Sequence, residues 1–556
     1  MIGSALLTDN ASFSSHPVGF SIALTAAGLT TLWLTRLTWS YWADCALAAS
    51  LGLPKRQKDN IFLKGVYKPV DEEVNVQGLQ VTGQIPLSLN GVFCRVGPNP
   101  YFKPIGDYHI FDGDGMIFAC RISNGAVSFS NSYVDTNRLK QEKAAGHPLG
   151  LKIGDLRGLG GLLELAWHQL EIKLGVYNVK DGFGTANTAL IYHANKLLVL
   201  HEGDLPYAVR ALCNGVIETM GRVNYEGKIK HPFTAHPKID PQTGELFFFG
   251  YNVSKHPHVI YKVADPAGHI QSSVPITIPH GVMMHDFAIT QDYAIFLDCP
   301  LVFKPDEMVK KRTLPFVFDE SQPTRFGILP RYAQKEDAMR WFEVPAVMMF
   351  HVANAWQDGN EVKLFSCCFD QFSLDVTEAN NKAKANQTAS QQRLREFTFN
   401  MDTGAVSQRV VSNVFGDFPS IPRHLAGRCT RYTYLAVMEW QGEEPVFVGV
   451  HKVDMQCESE EAANAGIILY GSNVVGGEAF FVPSHQDPAD CDGEDDGHLV
   501  TFTQNSKDGA SEMRVYDAKT MSHKPVARVQ LPLRCPSGFH CYHMSEEQFQ
   551  EQAGML

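Results

Sequence analysis

Residues 278–298, Ile-Pro-His-Gly-Val-Met-Met-His-Asp-Phe-Ala-Ile-Thr-Gln-Asp-Tyr-Ala-Ile-Phe-Leu-Asp, carry an apolar run into His285 and Asp286, a turn at Thr290 to Asp292, and a strand from Tyr293 to Leu297. An imidazole held among apolar neighbours beside a strand suits a metal ligand. A single such histidine is more often a satisfied core residue. The pattern recurs, however. His236 stands in Phe-Thr-Ala-His-Pro, before a turn at Thr243-Gly244 and the strand Glu245 to Val253. His351 stands in Met-Met-Phe-His-Val-Ala-Asn-Ala-Trp, before Asp358-Gly359 and the strand Glu361 to Phe369, and His540 stands in Pro-Ser-Gly-Phe-His-Cys. The successive separations of 49, 66 and 189 residues are far too long for a zinc finger or a helical His-x-x-x-His pair. Ligands this dispersed require an architecture that brings many equivalent strand ends to one axis.

Together with Met283-Met284-His285-Asp286-Phe287, the segments Gly184-Thr185-Ala186-Asn187-Thr188, Phe111-Asp112-Gly113-Asp114-Gly115-Met116 and Gly538-Phe539-His540 resemble the carotenoid cleavage oxygenase family. The stretch from Phe303-Lys304 to Arg331-Tyr332 is similar to its plant and algal carotenoid dioxygenases and epoxycarotenoid dioxygenases, and the match runs from about Pro69 to the C-terminus. The resemblance implies an all-β fold, a seven-bladed β-propeller with a helical dome. It implies one iron(II) per chain on the propeller axis, held by His236, His285, His351 and His540. His231, His280 and His543 lie close to these and are set aside by the motif frame.

Imidazole alone suits iron, zinc and copper, so the iron rests on the resemblance. Ligating imidazoles normally donate their second N–H to a carboxylate or carbonyl. The family's acidic partners correspond here to Glu202, Asp417 and Glu478. Many relatives carry glutamate at the second position. Aspartate is one methylene shorter, so a bridging water is the expectation there. The implied activity is oxidative cleavage of a conjugated double bond in a lipophilic polyene by O2, giving two carbonyl products. The tail Ser545 to Gln552 is similar to dioxygenases that cut at the 9,10 and 9′,10′ bonds, while the centre around Phe350 to Trp356 is closer to the 11,12-cutting epoxycarotenoid branch. A stilbene-cleaving enzyme and an inactive binding propeller are the competing readings.

Length and composition agree. At 556 residues the chain exceeds the roughly 250–300 residues one core usually supports, which calls for two domains or a repeat architecture. The 46 glycines and 30 prolines suit a turn-rich β chain, and the net charge of −12 argues against nucleic acid. Twelve scattered cysteines without a Cys-x-x-Cys pair read as reduced thiols.

Residues 1–58 form a separate hydrophobic, helical segment ahead of a propeller domain at 59–556. Val18 to Leu34 is uncharged and matches the short edge of a membrane span, about 17–25 residues. Lys55, Arg56 and Lys58 beyond it favour a cytoplasmic or stromal side. Membrane anchor, plastid leader and dome-packed helix remain the alternatives. Leu156 to Val176 is the strong helix of the body, facing the core or dipping into a membrane. Val376 to Gln392 reads as a polar surface insertion, Ser484 to Gly497 as a solvated acidic loop, and Asn99 and Asp114 as structural.

Overall fold

The computed structural model describes residues 41–51, 60–375 and 391–553. Seven antiparallel sheets follow one another around a ring, each a meander whose first strand is innermost. In chain order these inner strands are Ala189–His193, Lys238–Ile239, Phe287–Ile289, Met348–Asp358, Gly416–Ser420, Phe480–Pro483 and Cys541–Ser545. The first five blades are contiguous in sequence. The sixth borrows Val81–Gly83 as its outer strand, against Ala527–Gln530. The seventh is mixed: the C-terminal Cys541–Ser545 pairs with Gly91–Pro98, which continues into Gly115–Ser123 and Ala126–Tyr133. Both ends of the chain thus close the ring.

The core is divided in the same way. Seven buried clusters each join one blade to the next: Phe326 and Phe342 meet Phe397 and Phe399 between the third and fourth blades, and Phe93 and Phe118 meet Val500 and Phe502 between the sixth and seventh. The other five fill the remaining interfaces. A chain of this length therefore needs no single large core, because each blade buries its apolar face on its neighbours alone. All twelve cysteines are free, as the sequence suggests.

Asn137–Ala145, Gly158–Lys173 and Pro305–Lys311 make up the helical dome. The leucine-rich helix does not bury its apolar stripe. Leu159, Leu163 and Leu174 are 64%, 47% and 52% exposed, while Gly158, Gly161 and Glu171 are buried. Gly161 lies against the backbone of Leu156, on the segment that enters the helix, and near the Met308 sulfur of Pro305–Lys311. The helical residues 41–50 lie beside it, with Trp167 donating to Asp44 at 2.5 Å. Among the described residues no helix is long and apolar enough to cross a membrane. Val18 to Leu34 lies outside them, as do residues 376–390 of the polar insertion. Its last two residues are not surface groups: Gln391 and Gln392 are buried at 2% and 7% exposure. The acidic loop is tied down, Glu494 accepting from the Arg431 and Tyr432 backbones and Asp495 pairing with Lys452.

Candidate metal centre

The seven inner strands present their ends to one axis, and six carry a histidine or an acid there. His236, His285 and His540 immediately precede the inner strands of the second, third and seventh blades, and His351 lies within that of the fourth. Asp417 lies in the fifth and Glu478 just before the sixth. Glu202 enters from the end of the strand Lys196–Leu200 in the first blade.

The imidazoles converge. Nε2 of His236 is 2.9 Å from Nε2 of His285, and Nε2 of His540 is 3.1 Å from Nε2 of His351. The nitrogens of His236, His351 and His540 all lie within 4.8 Å of one another. Two imidazole nitrogens at right angles about an ion roughly 2.1 Å away would stand about 3.0 Å apart, against about 3.4 Å for a tetrahedral ion. The observed spacings match the first. These two spacings are those of ligands set at right angles about one ion, and imidazole donors suit iron as well as zinc and copper.

The opposite ring nitrogens are held from outside. His285 Nδ1 contacts a Glu202 oxygen, His351 Nδ1 is 2.9 Å from Asp417 Oδ1, and His540 Nδ1 is 3.4 Å from Glu478 Oε1. These contacts fix the tautomer that turns the Nε2 lone pair inward. The Asp417 bond is direct, so the bridging water expected from its shorter side chain is not required. Two features make up the missing methylene. The inner strand is bulged between Asp417 and Ser420, with Phe418 in the left-handed region at φ 52°. This kink swings the carboxylate toward His351, a re-aiming common beside active sites. Gln392 then donates to the second carboxylate oxygen at 2.8 Å. Sequence reasoning missed Gln392 because it closes a polar run; the only signal is its place just before the strand Arg393–Asn400. It also missed Tyr251, whose hydroxyl donates to Glu202 at 2.6 Å.

Charge follows this wiring. Burial lowers the pKa of His236 and its three neighbouring imidazoles lower it further, so it sits well below the ordinary value and is neutral. Burial likewise lowers His540, against the opposing pull of Glu478. For His351 burial is outweighed by the charge and hydrogen bond of Asp417, and its pKa is raised. Glu202, pushed up by burial, is brought below its usual value by His285 and Tyr251, and stays ionised.

The conserved-looking motifs do other work. Asp286 accepts from its neighbour Phe287 N, from Val352 N of the fourth blade at 2.8 Å and from Lys238 Nζ of the second at 2.7 Å, tying three ligand-bearing blades together. Asp112 caps backbone N–H groups of Ile153 and Gly154, and Asn187 bridges the carbonyls of Phe111 and Gly113. Asn99 and Asp114 bind backbone groups, as expected of structural residues. Gly97 and Gly538 approach so closely that a Cβ on Gly97 would stand 2.8 Å from the Gly538 Cα, and one on Gly538 would press on the Arg95 side chain. His231 and His543 bond to nearby carbonyls and His280 is exposed.

Phe350 packs on His285, and Phe418 packs on His351 and His540, at ring separations of about 5 Å. Both also line an apolar cavity of about 230 Å³ that continues past Phe372, Met438 and Trp440 to Phe62. A separate polar well, lined by Lys238, Asp286 and Arg423, also reaches His236, His351 and His540.

Fold and site together define a propeller whose axis gathers four imidazoles beside an apolar cavity. The chain belongs to the family described as retinal pigment epithelial membrane protein, RPE65, which it matches over residues 67–545. It is 44% identical over 500 residues to carotenoid 9,10(9′,10′)-cleavage dioxygenase 1 of Phaseolus vulgaris, covering 88% of this chain and 91% of the relative. It is 45% identical to the carotenoid 9,10(9′,10′)-cleavage dioxygenase of Crocus sativus, covering 88% and 90%. Identity to the chloroplastic 9-cis-epoxycarotenoid dioxygenase NCED6 of Arabidopsis thaliana is 35%, covering 90% and 84%. Among solved structures, the lignostilbene dioxygenase of Pseudomonas brassicacearum superposes with a TM-score of 0.74 at 25% identity, over 87% of this chain and 98% of that one. A variant of the Synechocystis apocarotenoid oxygenase gives 0.71 at 23%, over 86% and 97%, which speaks for the fold alone.

Proposed function

We propose that this chain is a non-haem iron(II) dioxygenase that cleaves a carotenoid at its 9,10 and 9′,10′ double bonds. His236, His285, His351 and His540 would hold one iron per chain, and Glu202, Asp417 and Glu478 would orient three of them. The observation that carries this reading is the set of four inward-turned imidazoles, three backed by carboxylates, beside a cavity walled by Phe350 and Phe418. The relatives at 44% and 45% identity, both named for the 9,10(9′,10′) cut, support that cut over the 11,12 cut of the epoxycarotenoid branch, whose representative stands at 35%.

Iron(II) bound here supplies the activation of dioxygen that no side chain of this protein provides. The chain's own residues do the rest. The carboxylates keep Nδ1 of His285, His351 and His540 protonated and their Nε2 free to ligate. The apolar walls exclude water from a substrate with no polar groups along its length, and the rings of Phe350 and Phe418 place the polyene against the imidazole cluster. Both atoms of O2 enter the two carbonyl products, so the substrate supplies the electrons and no further reductant is consumed. A displacement of about 1 Å can already cost ~100-fold in rate, so the cavity selects one type of bond.

The exposed leucines of Gly158–Lys173 suit a helix lying in a membrane surface, where a lipophilic polyene is dissolved. Peripheral membrane association is part of the proposal. The test is aerobic incubation of iron-loaded protein with carotenoids and a hydroxystilbene, with products identified by mass. A C13 ketone with a C14 dialdehyde is the expected outcome. A C15 aldehyde from an epoxycarotenoid, or turnover of the stilbene alone, would overturn it.

A further inference from the structure

The apolar cavity contains few polar groups, and its donors are mostly occupied, while Gln392 Oε1 is a buried acceptor with no partner among the described residues. His109 uses Nε2 on the Leu374 carbonyl at 3.3 Å and Nδ1 on the Phe111 N–H at 3.2 Å. The Tyr67 hydroxyl donates to the Pro445 carbonyl. The Gln392 amide donates to Asp417, whose charge fixes which way it faces. Trp440 differs. Its Nε1 is buried and has no acceptor among the described residues, while its side chain lines the cavity.

The position of this orphan donor is defined by register. Asp417 pairs with Ala436 on the strand Tyr432–Gln441, and Trp440 lies four residues further along, opposite Pro445. At about 3.4 Å per residue that is roughly 13 Å from the level of Asp417. The donor therefore stands away from the imidazoles, where the end of a bound polyene would lie and not its reacting bond. An indole N–H withdrawn from water and left without an acceptor is destabilising. In a ligand cavity the ligand removes that penalty if it carries an oxygen at the right place. A hydrocarbon end cannot.

We propose that Trp440 is a specificity-determining residue whose Nε1–H donates to an oxygen atom on the end ring of the polyene, so that the cavity selects oxygenated carotenoids over hydrocarbon carotenes. This deepens the polyene-cleavage reading and rests on it. Any ring oxygen with a free lone pair satisfies the indole, be it a hydroxyl, a ketone or an ether. The hydrogen of a hydroxyl is not needed. Fixing one ring in this way also fixes how far the polyene extends past Phe418.

The experiment uses three substrates with the same polyene: a ring-hydroxylated carotenoid, its methyl ether, and the unsubstituted hydrocarbon. KM and kcat are measured for the full-length, iron-loaded protein and for Trp440→Phe, which removes the N–H and keeps an aromatic ring. The wild type is expected to favour both oxygenated substrates in 1/KM by about 10-fold, the scale of one satisfied buried donor. The methyl ether should behave as the hydroxylated compound does, and Trp440→Phe should bring the ratio to about 1. A wild-type ratio near 1, or a ratio that survives in Trp440→Phe, overturns the proposal. Equilibrium binding of the same three compounds, read from the polyene absorbance, gives the ratio without turnover. Failure to cleave any of them therefore sinks the dioxygenase reading while the Trp440 proposal is still decided by binding.

Discussion

Asp417→Asn is the substitution on which the geometry commits itself most sharply. Two donors point at this carboxylate, His351 Nδ1 at 2.9 Å and Gln392 Nε2 at 2.8 Å. A carboxylate accepts both. An amide of the same shape offers one oxygen and turns an NH2 group against the other donor. Gln392 can relieve that clash by turning its own amide over, so the lasting loss falls on the charge behind His351. A hydrogen bond to a charged group contributes about 1.5–3 kcal/mol, and loss of such an outer partner typically lowers metal affinity by roughly 10–100-fold, or about 1.4–2.8 kcal/mol. The two ranges agree. Apo-protein titrated anaerobically with ferrous ion against a colorimetric chelator should show this loss for Asp417→Asn, and a similar one for Glu202→Gln. Glu478→Gln should be milder, because its contact to His540 is 3.4 Å long. If Asp417→Asn holds iron within about 2-fold of wild type while Glu478→Gln loses more than about 10-fold, the direct-bond reasoning is wrong.

Alanine at His236, His285, His351 or His540 should each abolish iron retention while circular dichroism stays that of a β protein; full metal content in any one variant removes that residue from the site. Substituting Leu159 and Leu163 by asparagine should weaken sedimentation with phospholipid vesicles by on the order of 10–100-fold, at a half-buried leucine's share of about 1 kcal/mol each, and leave turnover of detergent-dispersed substrate intact. Docking of helix 41–50 should depend on pH. Burial and then the charge of Glu171 push both Asp44 and Glu164 up to about 7, in a cleft that His168, Lys152 and Asp155 also face. Because the docked state holds these protons more tightly than the free one, docking is fully favoured below about pH 4, weakens as the pH rises from 4 to 7, and is level above. Protease susceptibility of residues 41–51 at matched protease activity reads this, and Asp44→Asn should flatten the profile.

How much of this was legible beforehand depends on the residue. The four histidines recur beside strands and turns, but the motif frame, not that pattern, separates them from His231, His280 and His543. Glu202, Asp417 and Glu478 had no such local signature and came from motif resemblance alone. Gln392 was invisible: a glutamine closing a polar run looks like surface until the fifth blade's bulge brings Asp417 to it. The leucines of Gly158–Lys173 left two readings open, facing the core or dipping into a membrane, since periodicity reports an apolar face and not what covers it. Trp440 could not be found either, because an unsatisfied N–H is a property of the surrounding cavity.

The mixed seventh blade has a consequence for the order in which the chain is made. Its inner strand, with His540 at its edge, leaves the ribosome after every other described strand of the ring, whereas its partner Gly91–Pro98 is among the first of them to emerge. His540 comes 189 positions after His351, a stretch that at about 5–20 residues per second takes roughly 10–40 s to synthesise. Through that interval the nascent protein is an open arc of blades carrying three imidazoles. The fourth arrives only as the C-terminal strand zips onto the N-terminal one. Assembly of the four-histidine cluster is thereby timed to the completion of the ring, and an ion held by His540 and its three counterparts would be a clasp across the seam where Cys541–Ser545 joins Gly91–Pro98.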